Sequence, residues 1–375
     1  MPSSEIYVLP SFSPGASHQL VKHSFGEPGR GRSAYLQAAT HADEHPGLLV
    51  LQHLMELLIE LEQRGEIVGH IEIVPYANPI GLGQQLFGQM PGRYNMANGE
   101  NFNRSFPDIT EKVRHILKER PPTPNDIHKL KEIFAEAFED IAVDGAVDAG
   151  KAWLLKQALK HDILIDLHCD TSSILHIYSN WNQQERALAL AAATHVDAVF
   201  LEDEAGGFPL DEAYAKAWKE AHHLGLVDTQ HLGFSATLEL RGQIDVDDEM
   251  AAVDAAGIIE FLKHEGVIAG GCNLANAEPA KIYPLEGVTH LKSPATGVVA
   301  WKKKPGDPVA EGELIAEVVP IDLTPGSSRI PVLSNLKGIL VARHHVKLTR
   351  QGQKLGMLAG TTPLAHRRTG KLMGI

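Results

Sequence analysis

Two hydrophobic periods alternate along this chain, and that alternation restricts the fold more than any other feature. Short runs rich in apolar and β-branched residues read as strands: SAYLQAAT, HIEIVPYANPIG, DILIDLHCD, ILHIYSN, DAVFLED and FSATLELRG. SEIYVLPSF and HQLVKHSFGE add two more near the start. Between several of these lie helical patterns. The clearest is PGLLVLQHLMELLIELEQR, with leucines at 48, 51, 54, 58 and 61 and Pro46 in the first turn, where its missing N–H costs nothing. ERALALAAATHV and the stretch from Asp245 to His264 continue the pattern, and residues 111–160 read as largely helical. Strands alternating with helices predict an α/β domain: a mostly parallel or mixed sheet with helices on both faces.

Residues 81–110 break the rhythm. They are rich in glycine and asparagine with little periodicity, and so predict a long loop of the kind that usually carries function. After about residue 275 the texture changes again. HLKSPATGVVAWKKKPGDPVAEGELIAEVVPID and RIPVLSNLKGILVARHHVKLTRQGQKLGMLAG hold short β-rich pieces separated by Gly-Asp and Glu-Gly turns. The predicted division is a catalytic domain at 1–275 and a small all-β domain at 276–375.

Composition sets limits. A chain of 375 residues, 43% apolar, can bury one large core and a smaller one. The net charge of −13 and two short basic runs, WKKKP and HRRTGK, argue against a nucleic-acid surface. The most apolar stretch, 46–61, is interrupted by Gln52, His53, Glu56 and Glu60, so no membrane span is expected. The start of the chain lacks the pattern of a secretory signal, and Cys169 and Cys272 offer no disulfide framework. The expected setting is the cytoplasm. The expected partner is a small molecule, with no nucleic acid or membrane, and homo-oligomerisation is left open.

Four motifs carry chemistry. ATHADEHPG sets His41 and Glu44 three residues apart where a strand hands over to a helix, a spacing that lets an imidazole and a carboxylate meet one cation at about 2.1 Å. IDLHCD places His168 at the end of an apolar strand, where ligand sites gather in open α/β sheets. Asp166, two residues earlier, could fix its tautomer. GENFNRSFP in the long loop offers Asn103 and Arg104 to a carboxylate-bearing ligand, with Arg93 as a second arginine. TLELRG ends a strand with Glu239, a candidate proton carrier. Singly, each motif has an ordinary structural reading. The first could be a polar helix cap, and His168 could be a buried histidine on a backbone carbonyl. Arg104 could pair with a surface acid, Glu239 could pair with Arg241, and Cys169 reads as a packed thiol.

Together, in this order, HADE, NFNRSFPD, IDLHCD and TLELRG resemble the succinylglutamate desuccinylase/aspartoacylase family, within the wider zinc carboxypeptidase-like fold. The resemblance covers roughly residues 30–270. It implies a zinc-dependent amidohydrolase acting on an N-acyl amino acid, with one Zn2+ per chain on His41, Glu44 and His168. It further implies Glu239 as general base and then acid, Arg104 with Asn103 on the substrate carboxylate, and Arg93 polarising the scissile carbonyl. HADE departs from the commoner His-Gly-x-Glu without losing a ligand. A metallocarboxypeptidase, an N-acetyl diamino acid deacetylase and a catalytically silent binding protein remain alternatives. The C-terminal segment resembles a biotinyl/lipoyl-type barrel-sandwich, but PIDLTPGSSRIPV has no carrier lysine. It reads as a structural module bordering the site, with His344 and His345 as exposed strand residues.

Overall fold

The computed structural model describes residues 2–11, 13–274, 279–321 and 327–372. Its largest element is a nine-stranded mixed sheet. The centre is parallel: β3 (Ser33–Ala38) lies between β4 (His70–Val74) and β5 (Ile163–Asp170), and β5 pairs with β8 (Phe234–Gly242). On one side β2 (Gln19–Gly26) and then β1 (Ser3–Val8) add antiparallel. On the other, β6 (His176–Asn180) runs antiparallel to β8, and β7 (Ala198–Glu202) and β9 (Lys281–Pro284) run parallel to β6.

The sheet is covered on both faces because its central strands are apolar on both. Along β5, Ile163, Ile165 and Leu167 join one core cluster and Leu164 joins another, as strand alternation requires. The first cluster packs under α1 (Pro46–Gln63), α6 (Gln184–Thr194) and α8 (Asp248–His264). The second packs under α3 (Thr110–Glu119), α4 (Ile127–Glu136), α5 (Ala146–Ala158) and α7 (Leu210–His223). A single turn, α2 (Pro79–Leu82), precedes the long loop.

Helix α1 matters most for the site. Leu51, Leu54, Leu58 and Leu61 are buried on the predicted stripe, and Pro46 opens the helix. Gly47 sits so close to the strands that a Cβ there would meet Leu167 Cβ at 2.9 Å and Ala38 Cβ at 3.0 Å. That approach presses the turn before α1 against the end of β5. Among the described residues, no helix is long and apolar enough to cross a membrane.

Beyond β9 the chain builds two four-stranded antiparallel sheets. One runs β10 (Val288–Lys292), β17 (Lys354–Ala359), β15 (Gly338–Arg343), β12 (Pro308–Val309). The other runs β14 (Ile330–Leu333), β13 (Leu314–Val319), β11 (Gly297–Trp301), β16 (Leu348–Thr349). Leu291, Val299, Ile315, Val318, Leu340 and Leu358, drawn from both, share one core. A separate cluster joins Val341 and Met357 to Phe200 and Tyr283, seating this module on the edge of the large sheet. Residues 275–278, where the sequence division falls, and 322–326, where a carrier lysine is missing from the sequence, lie outside the described residues. His344 and His345 lie in the turn after β15 and not in a strand; their rings stack 4.8 Å apart and His344 is half-buried.

At the far end of the central strands lies a buried polar knot. Glu72 bonds to His161 Nε2 at 3.0 Å and to Lys22 Nζ at 2.9 Å, and the His70 ring stacks on His161 at 5.3 Å. Burial, and then the charges of its neighbours, push His70 down to about 4. Burial opposes ionisation of Glu72, but the bonds from His161 and Lys22 and the lysine charge hold it down to about 2. Both groups bind fewer protons folded than unfolded, so stability is complete above pH 6.5 and falls as pH drops towards 4. Chemical denaturation across that window should lose about 2 kcal/mol through His70, and His70→Gln should flatten that part of the profile. An identical slope in the variant would remove His70 from the acid response.

Candidate active site

The site gathers where β3, β5 and β8 end. The turn after β3 carries His41 and Glu44, both buried. Glu44 bridges two imidazoles: Oε1 lies 2.9 Å from His41 Nδ1, and Oε2 lies 2.8 Å from His168 Nδ1. The three ligand atoms lie within 4.8 Å of one another. The Cys169 amide donates to Glu44 Oε2 at 3.1 Å, while its thiol is buried in the core, as a packed thiol should be.

The outer edges of both rings are also tied. His168 Nε2 lies 2.9 Å from Asp166 Oδ2, and His41 Nε2 lies 2.9 Å from Asn101 Oδ1. Burial opposes a charge on His168, but Asp166 and Glu44 outweigh it and raise its pKa well above the ordinary value. Two imidazole nitrogens and one carboxylate oxygen converge here, a donor set that could hold a metal ion.

The long loop brings the arginines. Gly92 lies flat on the 42–43 backbone; a Cβ there would sit 2.0 Å from the Asp43 nitrogen. This close approach delivers Arg93, whose Nη2 bonds to Glu44 Oε1 at 2.8 Å. Phe102 and Phe106 are buried and anchor the next segment. The Ser105 and Phe106 amides donate to the Gly207 and Phe208 carbonyls, fixing Arg104 over the cleft. Arg104 donates to the Asn103 carbonyl and forms no ion pair among the described residues. Asn103 Nδ2 lies 3.3 Å from His168 Nε2.

Glu239 is the register partner of His168 across the parallel β5–β8 ladder, so the two side chains stand next to each other on one face. Its Oε2 is buried and has no hydrogen-bond partner among the described residues. Burial, and then the Glu44 charge, push it up to about 8. Arg241 does not pair with it. That guanidinium makes a two-pronged bond to Asp254 at 2.7 and 2.8 Å. His41, Arg93, Asn103, Arg104, His168 and Glu239 all line one cleft.

The structure brings the residues expected from the sequence into one cleft, together with three that the sequence reading passed over. Asn101, inside a quoted motif, orients His41. Glu202 at the end of β7 and Asp211 at the start of α7 line the same cleft, although DAVFLED and DEAYAKAW read only as a strand and a helix. The second module reaches the site too. The Arg343 amide donates to the Ser172 carbonyl, and the Thr171 hydroxyl to the Arg343 carbonyl, so β15 clamps the loop after β5. His70, Glu72 and His161 form a second cluster of metal-binding types, but the Lys22 ammonium already supplies its positive charge.

The family model of the succinylglutamate desuccinylase/aspartoacylase catalytic domain matches residues 30–148. N-alpha-acetyl-L-2,4-diaminobutyric acid deacetylase from Halomonas elongata is 25% identical over 339 residues, spanning 88% of this chain and 83% of that protein. A crystal structure of a succinylglutamate desuccinylase/aspartoacylase family protein from Shewanella amazonensis superposes with a TM-score of 0.84 at 24% identity, covering 95% of this chain and 98% of that one. The product-bound ectoine utilization protein EutE (DoeB) from Ruegeria pomeroyi superposes at 0.67 and 19% identity, covering 96% and 95%. Motif order and the family match over residues 30–148 liken the chain to the succinylglutamate desuccinylase/aspartoacylase family, and the superpositions show the same fold.

Proposed function

We propose that this protein is a zinc-dependent amidohydrolase that cleaves an N-acyl amino acid into a carboxylic acid and a free amino acid. The observation that carries the reading is the convergence of His41, Glu44 and His168 beside Glu239 in a cleft that also holds Arg93 and Arg104. The family's namesake activities and the deacetylase relative from Halomonas elongata support the reaction class.

His41, Glu44 and His168 would hold one zinc ion, which when bound supplies Lewis acidity and lowers the pKa of a water at the site. The rest falls to the chain's own groups. Asp166 and Asn101 hold the two imidazoles in the orientation that leaves their inner nitrogens facing Glu44. Arg104, free of any carboxylate partner, takes the substrate carboxylate in a two-pronged bond, with Asn103 fixing the backbone it leans on. That grip sets the amide beside Glu239, a near-attack placement. Glu239 takes a proton from the attacking water on its unpartnered oxygen and delivers it to the departing nitrogen. Arg93 leaves Glu44 for the scissile carbonyl and steadies the charge that develops there.

The two-sheet C-terminal module, with one shared core, we read as a barrel-sandwich of biotinyl/lipoyl type. It has lost the swinging cofactor and serves to wall the cleft. The domain seam at 275/276 then leaves β9 as a strand that the following segment donates to the catalytic sheet.

Three variants test the roles. Glu239→Gln should keep its zinc by elemental analysis and lose turnover by about three orders of magnitude; near-normal turnover would remove Glu239 from proton transfer. Asp166→Asn should stay folded by circular dichroism and bind zinc about 10- to 100-fold more weakly. Unchanged affinity in a competition titration would mean that Asp166 does not orient the ligand. Arg104→Ala should raise KM about 10- to 100-fold with kcat nearly kept, whereas a loss confined to kcat would place Arg104 elsewhere in the reaction.

A further inference from the structure

The row of side chains that holds His168 and Glu239 continues one strand further. Glu239 pairs with His168 across the parallel β5–β8 ladder and with His176 across the antiparallel β8–β6 ladder. Residues opposite each other in an antiparallel pair point to one face, with Cβ atoms about 4.5–5.5 Å apart. Tyr178, two residues beyond His176, stands opposite Thr237, and Phe200 of β7 stands opposite Tyr178. Tyr178, Thr237 and Glu239 line the cleft, so His176 lies on the same face, beneath its surface. It is fully buried. Its ring meets those of Tyr178 and Phe200 edge-on, with centroids 5.2 and 5.4 Å away.

The hydrogen bonds of this ring are half made. Nδ1 lies 2.9 Å from the Ile174 carbonyl, which can only accept, so Nδ1 carries the proton. Burial outweighs that bond and the Asp170 charge and holds the ring below the usual histidine range, so it stays neutral. Nε2 is then a bare acceptor, buried and with no partner among the described residues. The Tyr178 hydroxyl turns instead to Met357 Sδ at 3.8 Å. Glu239 has the matching deficit on the opposite strand, where its Oε2 is buried and unpartnered among the described residues. An ionised carboxylate offers this nitrogen nothing, since both are acceptors. A protonated carboxyl brings an O–H donor that satisfies both atoms at once.

We propose that His176 is the positioning residue for Glu239: its Nε2 accepts a hydrogen bond from the Oε2–H that forms when Glu239 takes the proton of the attacking water. The inference rests on the amidohydrolase reading and adds to it a group outside the metal-binding turn and the long loop. No covalent bond is made or broken at His176 itself. The proton stays on Glu239 until the O–H turns from the imidazole to the departing nitrogen, and Nδ1 keeps its own proton on the Ile174 carbonyl throughout. The contact favours the protonated carboxyl, so it assists the abstraction, and it fixes the torsion from which delivery starts.

Two substitutions in the zinc-loaded full-length protein separate this role from a structural one. In His176→Asn the amide keeps a donor for the Ile174 carbonyl but falls short of Glu239. In His176→Gln the amide oxygen takes the place of Nε2. With zinc content and circular dichroism kept, His176→Asn should lose kcat about 10- to 100-fold at nearly constant KM, and His176→Gln should restore it to within about 3-fold. Unchanged kcat in His176→Asn, or an equal loss in both variants, would overturn the proposal. Nitrogen-15 spectra of histidine-labelled protein read the contact without turnover. In Glu239→Gln the side-chain amide stands in for the protonated carboxyl, and in Glu239→Leu nothing does. The His176 Nε2 signal, assigned by its loss in His176→Gln, should lie upfield in the first of these, as an accepted hydrogen bond demands; the same position in both would contradict the contact. If no acyl amino acid is hydrolysed yet the signal moves, the hydrolase reading fails and the contact stands. If hydrolysis is brisk and neither kcat nor the signal responds, the reverse holds.

Discussion

One carboxylate organises the catalytic end of this molecule. Glu44 spans two imidazoles delivered by different strands and receives a backbone amide from Cys169 and a guanidinium from Arg93. A carboxylate buried this deeply survives only if every lone pair is answered. The answers come from β3, β5 and the long loop. Ordering Glu44 therefore orders all three, and the same convergence sets two imidazole nitrogens and a carboxylate oxygen where they could hold a metal ion. Gly47 and Gly92 matter for this reason. Each removes a side chain where two backbones must nearly touch to bring those answers within reach.

Charge then divides the cleft. Its inner end holds the His41–Glu44–His168 group and Glu239, its roof holds Arg93 and Arg104, and its far end holds Glu202 and Asp211, which form no ion pair with a lysine or arginine among the described residues. Such a gradient orients a ligand of mixed charge far better than a neutral one. The second module adds one cation to this pattern, Lys354 of β17, whose charge is felt by Asp170 and Glu239. It contributes rigidity, through β15 against the loop after β5 and through Met357 and Val341 against Phe200. A wall of packed sheet keeps the loop behind His168 from opening.

The architecture was largely legible because its signals are local. Continuous apolar runs mark two-faced strands, and the leucine stripe of α1 marks a helix covering them. The parallel centre of the sheet followed from alternation alone, whereas its antiparallel flanks did not, since strand direction depends on connections that periodicity does not encode. His41, Glu44, His168 and Glu239 stood out because metal-binding and proton-handling types cluster at strand ends. Asn101 did not, because orienting an imidazole leaves no spacing signature. Glu202 and Asp211 were hidden in ordinary strand and helix text, and only the register across β8, β6 and β7 turns them into one wall. The ordinary alternative for Glu239, a pair with Arg241, does not form: Arg241 adopts a left-handed backbone (φ 61°) and bonds to Asp254 instead.

Crystals of the protein loaded with zinc, measured on either side of the zinc absorption edge, test the central claim most directly. The account predicts one strong anomalous peak enclosed by His41, Glu44 and His168. An empty site there, or a sole peak between His70, Glu72 and His161, would contradict it.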